Sequence, residues 1–424
     1  MGSIATSGDG HFRAAAFEER GSEMSNLIPR FSAQGQGYSR EAVTARRRWI
    51  EERTGQTLEQ VGAFGFPAEE MQGNVENPIG AAQVPLGVAG PLLVHGDHAE
   101  GHFFVPMATT EGALVRSYER GSAAITRAGG ASVRLYVDEN RITPVFLFAG
   151  VPEAAAFVRE LPGRFEALRA EAEATTRHGR LLRVEPLPIG RQVMVHFCFS
   201  TGDAGGMNMI AKATDRACRW LMEHSAAQRF YLFSALDSEK HASSSLFLGG
   251  KGKKAVAGVR LPASIVRSYL GTTPERILEL WHANVMAQFH AGATTCNAHL
   301  ANGLAALFIA CGQDVANITN AAVGLLQFDL VEEGALFASL TLPSLTVGTV
   351  GGGTSLGTAR ECLGMLGCAG AGKALRFAEI TAAFLLAGEI SLMAALAAGE
   401  LVSAHESYGR NRPQEMGSSG SLGG

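Results

Sequence analysis

The sequence predicts an α+β fold, and three observations carry that reading. Residues 132–200 alternate strand-like runs with one charged helix, the pattern of a small unit inserted into a larger body. The flanking stretches are apolar and rich in alanine and leucine, the longest running from Ile380 to Val402. Glycine supplies 52 of 424 residues and gathers in runs such as Gly351-Gly352-Gly353, where backbone turns sharply or approaches a neighbour closely.

Each element follows from local chemistry. Residues 1–36 are polar and without periodicity, a flexible tail. Residues 37–75 form an N-terminal helical segment whose main helix, over 38–53, is amphipathic and capped by Ser39. Its Arg46-Arg47-Arg48 run reads as a solvated face. A Gly/Pro-punctuated segment follows from Glu76 to Leu92. A strand over 102–106 then enters the turn 109–112, and a helix starts near Ala113. Strands at 132–137, 145–149 and 192–199 surround a charged helix over 153–178, and the turn 202–206 opens a helix over 211–224. Further helices are predicted at 274–290, 299–311 and 374–401, with strand-like runs at 255–260, 319–327 and 336–347. Residues 411–424 form a second flexible tail. The chain thus divides into a large helix-rich domain (76–143 and 230–410) and a small inserted one (144–229).

Composition excludes several classes. A net charge of −4 offers no basic surface for nucleic acid or an anionic membrane. The six cysteines lie in apolar settings without a Cys-x-x-Cys pair, so they read as reduced thiols rather than disulfides or zinc ligands. The twelve histidines show no ligand spacing, and no metal is predicted. The first ten residues lack the basic and apolar regions of a signal peptide. Glu389 and Glu400 interrupt the 380–402 stretch, which therefore reads as a buried helix rather than a membrane span. A soluble cytoplasmic protein is expected.

Isolated ionisable residues in dense apolar and glycine-rich blocks point to chemistry. Glu111 lies in the block 107–112, Asp203 in 201–209, Asp314 just after 310–313, and His405 beyond the last helix. Charges against such backbone are costly to bury without partners, so their repetition suggests an enzyme site. The Gly202–Met209 turn leads into a helix, whose free N–H groups favour an anion such as a dinucleotide pyrophosphate. It lacks the Gly-x-Gly-x-x-Gly spacing, however. The 249–254 stretch is not a P-loop, because Lys254 stands where a Ser or Thr is needed.

Taken in order, these blocks resemble hydroxymethylglutaryl-CoA reductases in their class I form. The similarity runs through Glu76-Asn77-Pro78-Ile79-Gly80, residues 106–112, Gly202 to Met209, residues 297–302, Gly312-Gln313-Asp314, residues 348–354 and residues 387–392. It covers roughly residues 40–410. The resemblance implies a four-electron reduction of an acyl-CoA thioester to an alcohol, 3-hydroxy-3-methylglutaryl-CoA to mevalonate, by NADPH with NADH as the alternative. It implies that Lys240 stabilises the developing oxyanion, Glu111 donates a proton, Asp314 tunes both, and His405 protonates the departing CoA thiolate. The inserted domain would be ferredoxin-like and would bind the cofactor. Asp203, Gly205, Gly206, Met207, Asn208, Val350, Gly351 and Gly352 match cofactor-binding positions. Glu76, Ser117, Arg120, Arg134, His241, His282 and Asn302 match substrate-side positions. The resemblance further implies a homodimer or dimer of dimers with the active site between subunits.

The pattern breaks near the acyl group. Glu239-Lys240-His241 replaces the family's Asp-Lys-Lys, and His282 stands where a family lysine pairs with the substrate's free carboxylate. An imidazole is mostly neutral at pH 7 and binds a carboxylate more weakly. A relative acting on a different acyl thioester is thus the second reading. A non-catalytic binding protein is the third, opposed by the joint presence of Glu111, Lys240, Asp314 and His405.

Overall fold

The computed structural model describes residues 28–29 and 36–400; His405, the 411–424 tail and the rest of the 1–36 tail lie outside the described residues. Among the described residues, those up to Gln83 belong to one compact unit and those from Val84 to another.

In the first unit, helix α1 (Arg40–Thr54) begins where the Ser39 hydroxyl accepts the Ala42 N–H, and ends at Gly55 with φ 68°. Helix α2 (Glu59–Gly62) follows, and Val43, Phe64, Ala68 and Met71 make a small core. Arg46 departs from the solvated face that the sequence suggests. It is 4% exposed, and its guanidinium donates to the Gly37 and Pro78 carbonyls at 2.7 and 3.4 Å. A cation buried this far needs such acceptors, and these loop carbonyls supply them.

The second unit opens with strands β1 (Leu86–His95) and β2 (Glu100–Ala108). The sequence hides β1 behind Gly90 and Pro91. Both fall in a break of register between Ala89 and Leu92, where a strand tolerates them. Helix α3 (Leu114–Arg127), β3 (Ala131–Ile142) and β4 (Val145–Leu147) come next. The single helix expected over 153–178 is two helices, α4 (Val151–Glu160) and α5 (Phe165–Glu173). Between them a 3-10 turn, Leu161–Arg164, contains Pro162 and Gly163. Strand β5 (Arg180–Ile189) was not expected, because it carries Pro186 and Pro188. It pairs with one neighbour only, so a missing N–H costs it nothing there.

Then follow β6 (Gln192–Ser200), α6 (Met207–Glu223), β7 (Arg229–Tyr231), β8 (Lys251–Leu261), α7 (Ala263–Leu270), α8 (Pro274–His290) and α9 (Leu300–Ala310). The strand expected at 319–327 divides into α10 (Ile318–Ala321) and β9 (Leu325–Val331). Asn320 turns its amide inward to the Thr346 hydroxyl at 3.0 Å, which favours the helical turn. The described residues close with β10 (Ala335–Leu345), α11 (Gly357–Met365) and α12 (Ala374–Ala398).

The strands join one mainly antiparallel sheet, in the order β7-β4-β6-β3-β8-β10-β9, with β1–β2 attached through β3 and β5 through β6. Mixed helices and antiparallel sheet make the class α+β, as the sequence predicts. Strand β3 is the seam. Residues 132–140 pair with β8 and residues 140–142 with β6. On one side lies the larger apolar core; on the other, Phe146, Phe157, Phe197, Phe199 and Leu221 belong to a separate one. Helix α12 is long and apolar enough to cross a membrane, yet 89% of its apolar window is buried in the protein. It is a core helix.

Candidate active site

Lys240 lies in the 235–241 loop, between β7 and β8. Ala235, Ser238 and Lys240 all have positive φ, at 63°, 56° and 57°. Such backbone is sparsely populated for non-glycine residues and persists only where the surroundings enforce it, which is common at active sites. The Lys240 ammonium reaches the Asp314 carboxylate at 2.8 Å, and that hydrogen bond raises the lysine's pKa. Both groups are about half exposed. Asp314 is fixed in turn, because its other carboxylate oxygen accepts the Ala316 N–H at 3.0 Å. His241 turns back on the loop, its Nδ1 2.6 Å from the Glu239 carbonyl.

The glycine turn sits close by. Gly206, with φ 78°, starts α6, and no side chain caps the helix. Its N-terminal N–H groups face an approach left open by Gly205, where an added Cβ would meet nothing within 4 Å. Gly351 and Gly352 are open in the same way, and the Asp203 carbonyl accepts the Thr349 and Val350 N–H groups at 2.8 and 3.2 Å. The two turns are therefore joined. Gln313 ties them to Asp314, its amide oxygen accepting the Gly348 N–H at 2.9 Å. Asn208 and Val350 are exposed, while Met207 packs back toward β8.

Asp203 itself has another duty. Its carboxylate accepts the N–H groups of Gly372, Lys373 and Ala374 at 2.7, 3.0 and 3.0 Å. It caps α12 from across the fold, where that helix has no local side-chain cap. Burial pushes this carboxyl's pKa up, but the three N–H donors outweigh it and hold the pKa below the ordinary value.

Glu111 is elsewhere. It is exposed, in the turn between β2 and α3, and its Oε1 accepts from the Asn302 amide at 3.4 Å. Asn302 is the third residue of α9, whereas Asp314 follows that helix's far end. Eleven helical residues span roughly 16 Å. Two pairs thus lie toward opposite ends of α9, Lys240 with Asp314 and Glu111 with Asn302.

The remaining residues divide between structure and surface. Ser117 and Arg120 both meet Ser391 on α12, at 3.2 and 3.0 Å, and Arg120 also donates to the Ser391 carbonyl at 2.6 Å. Arg134 donates to the His95 carbonyl at 3.0 Å. Glu76 is exposed in the first unit, and His282 is exposed on α8.

Sequence reasoning missed several buried charges. Glu379 on α12 receives the N–H groups of Asp97, His98 and Ala99 at 3.1, 2.8 and 2.7 Å, fixing the β1–β2 turn. Lys251 and Lys253, on β8, pair with Glu239 and Asp138 at the seam between the two cores. In sequence they look like an exposed basic run. Glu389 does what an acid inside an apolar helix suggests: it accepts the Ala298 and His299 N–H groups at the start of α9. Burial raises its pKa to about 7.

Comparison with known proteins shows the family. The family described as hydroxymethylglutaryl-coenzyme A reductase matches residues 42–410. The 3-hydroxy-3-methylglutaryl-coenzyme A reductase of Methanothermobacter thermautotrophicus is 44% identical over 87% of this chain and 94% of its own length. That of Aeropyrum pernix is 43% identical over 88% and 91%. Among solved structures, the class II reductase from Streptococcus pneumoniae bound to NADPH superposes with a TM-score of 0.62. It has 19% identity and covers 86% of this chain and all of that one.

Proposed function

Because the chain belongs to the hydroxymethylglutaryl-coenzyme A reductase family, we propose that it reduces (S)-3-hydroxy-3-methylglutaryl-CoA to mevalonate and CoA at the expense of NADPH. The observation that carries this reading is the Lys240 ammonium, held 2.8 Å from Asp314 beside two joined glycine turns.

Reduced nicotinamide, when bound, would supply one hydride to each reduction, two cofactor molecules being used in turn. As the thioester carbon is reduced, negative charge builds on its oxygen, and a fixed cation there is the largest available stabiliser. Lys240 supplies it, pre-set by Asp314 and by its own constrained backbone. Collapse of the resulting hemithioacetal expels CoA thiolate, to which the resemblance assigns a proton from His405. The aldehyde so formed keeps the same oxygen, now a new carbonyl, before Lys240 for the second hydride. Glu111, oriented by Asn302, delivers the proton that makes it an alcohol.

The placing of these two pairs toward opposite ends of α9 supports a site shared between protomers. We assign the active form to a homodimer, or a dimer of dimers, in which one protomer's Lys240 faces its partner's Glu111. The half-exposed state of Lys240 and Asp314 in a single chain supports this, since a partner surface would cover them. Gly205, Gly206, Met207 and Asn208 would receive the pyrophosphate at the α6 N-terminus, with Val350, Gly351 and Gly352 opposite. Asp203 would hold the turn in place. In this reading residues 144–229 bind the cofactor, and residues 76–143 with 230–410 bind acyl-CoA, with Ser117, Arg120, Arg134, His241 and His282 on the substrate side. Unpaired cysteines, five of them buried, suit the reducing cytoplasm.

The test is a cofactor-oxidation assay with hydroxymethylglutaryl-CoA and a panel of other acyl-CoA thioesters, run with NADPH and with NADH. Two NADPH consumed per mevalonate is the expected result. Turnover of a different thioester alone would shift the substrate assignment toward the altered residues Glu239, His241 and His282.

A further inference from the structure

Lys251 has no exposed surface, yet it belongs to neither apolar core. It opens β8 opposite Asn140 of β3, on the seam where the sheet passes from one core to the other. Its ammonium makes an ion pair with Glu239, the residue just before Lys240. The same Nζ lies 3.2 Å from the Met207 sulfur, in the first turn of α6. One buried cation therefore touches both the loop that carries the reactive lysine and the helix start next to the glycine turn. Burial lowers the Lys251 pKa, whereas Glu239 opposes that shift.

We propose that Lys251 is a positioning residue that sets the register of the Lys240 loop against the α6 glycine turn, through Glu239 on one side and Met207 on the other. This rests on the reductase reading for its catalytic consequence, but not for its structural one.

The physical reason lies in the loop's backbone. Three non-glycine residues with positive φ within six positions do not hold that shape unaided. Several of the loop's other hydrogen bonds are local: the Ser238 N–H to the Ala235 carbonyl, the His241 N–H to the Ser238 carbonyl, and the Glu239 N–H to Asp237. Such bonds shape the loop without fixing where it sits. The Ser238–Ser245 hydroxyl contact at 3.0 Å is short in sequence as well. Glu239 to Lys251 crosses from the loop to the sheet and is shielded from water, so it is little screened. A thioether adds a weak, adaptable contact on the far side. Lysine fits this role because its narrow ammonium reaches two partners from one strand position.

The experiment compares Lys251→Met, which keeps the stem and removes the charge, with Lys251→Arg, which keeps the charge. Selective 13C labelling of lysine side chains reads the Lys240 pKa directly by NMR, assigned with Lys240→Arg. In Lys251→Met the loop drifts from Asp314, so the raised Lys240 pKa should fall. The basic limb of the kcat profile should move to lower pH with it. Turnover should drop about 100-fold, the usual cost of a displacement near 1 Å, while Lys251→Arg recovers most of it. Should Lys251→Met fold poorly, Met207→Ala removes the contact on the far side without changing any charge and should shift the Lys240 resonance in the same direction. An unchanged Lys240 pKa in both variants, with kcat within about twofold of the parent at a given fold of native protein, would reduce Lys251 to a packing residue. If the parent protein turns over no thioester, the NMR result still decides the positioning claim while the reductase reading fails separately.

Discussion

Replacing Asp203 by alanine separates two roles that the sequence cannot tell apart. The residue stands in a turn expected to contact a cofactor, but its carboxylate accepts three backbone N–H groups at the start of α12. Loss of an ordinary helix cap costs about 1 kcal/mol, and hydrogen bonds to a charged acceptor are stronger. Three such bonds at a half-buried position are not additive, so about 2–3 kcal/mol is expected for Asp203→Ala. Asp203→Asn keeps the shape and one good acceptor and should lose about half of that. Urea unfolding at fixed protein concentration measures both, since any assembly makes stability depend on concentration. The pH dependence gives a second check. A carboxyl with a depressed folded pKa adds stability above its unfolded value near 4 and loses it as pH falls through the lower folded value. The gap between parent and Asp203→Ala should therefore close in acid. The reasoning is refuted if Asp203→Ala unfolds at the parental urea concentration while its KM for NADPH rises steeply. The carboxylate would then serve the cofactor and not the helix.

Three further outcomes are expected. Lys240→Met should lower kcat by at least about 100-fold in steady-state assays, with KM for NADPH little changed, because it removes a cation felt mainly in the transition state. Glu379→Ala leaves the buried Ala99 N–H and the part-buried Asp97 and His98 N–H groups without this acceptor and should cost about 2 kcal/mol in denaturant unfolding, against a smaller loss for Glu379→Gln. Glu389 holds its proton to about pH 7 in the folded chain against an ordinary 4.5, because burial penalises the charge. With its folded pKa raised, its stabilising contribution is full below about 4.5 and disappears as pH rises through 7, a swing of about 3 kcal/mol that Glu389→Gln should flatten.

Much of the fold is legible residue by residue. Ser39 and Gly55 mark the ends of α1 because a hydroxyl cap and a left-handed glycine act within one turn. Helix α8 begins at Pro274 behind the Thr273 cap for the same local reason. Elements that break local rules escape. Strands β1 and β5 carry prolines that are tolerable only because of a register break or a free edge, and neither is visible before strands are paired. The candidate site divides along the same line. Lys240, Asp314 and the glycine turn are recognisable as blocks, but Lys251 looks like a surface lysine until β3 and β8 close over it.

By itself, the sequence determined the family, the α+β class and the residue types of the chemistry, because these are carried by short blocks and by periodicities of a few residues. Only the tertiary structure decided which of these residues meet. It set Lys240 against Asp314 and Glu111 against Asn302 at opposite ends of α9, and it turned Asp203 toward a helix 171 positions away. Such pairings depend on how remote segments pack, and burial and charge are settled only once that packing exists.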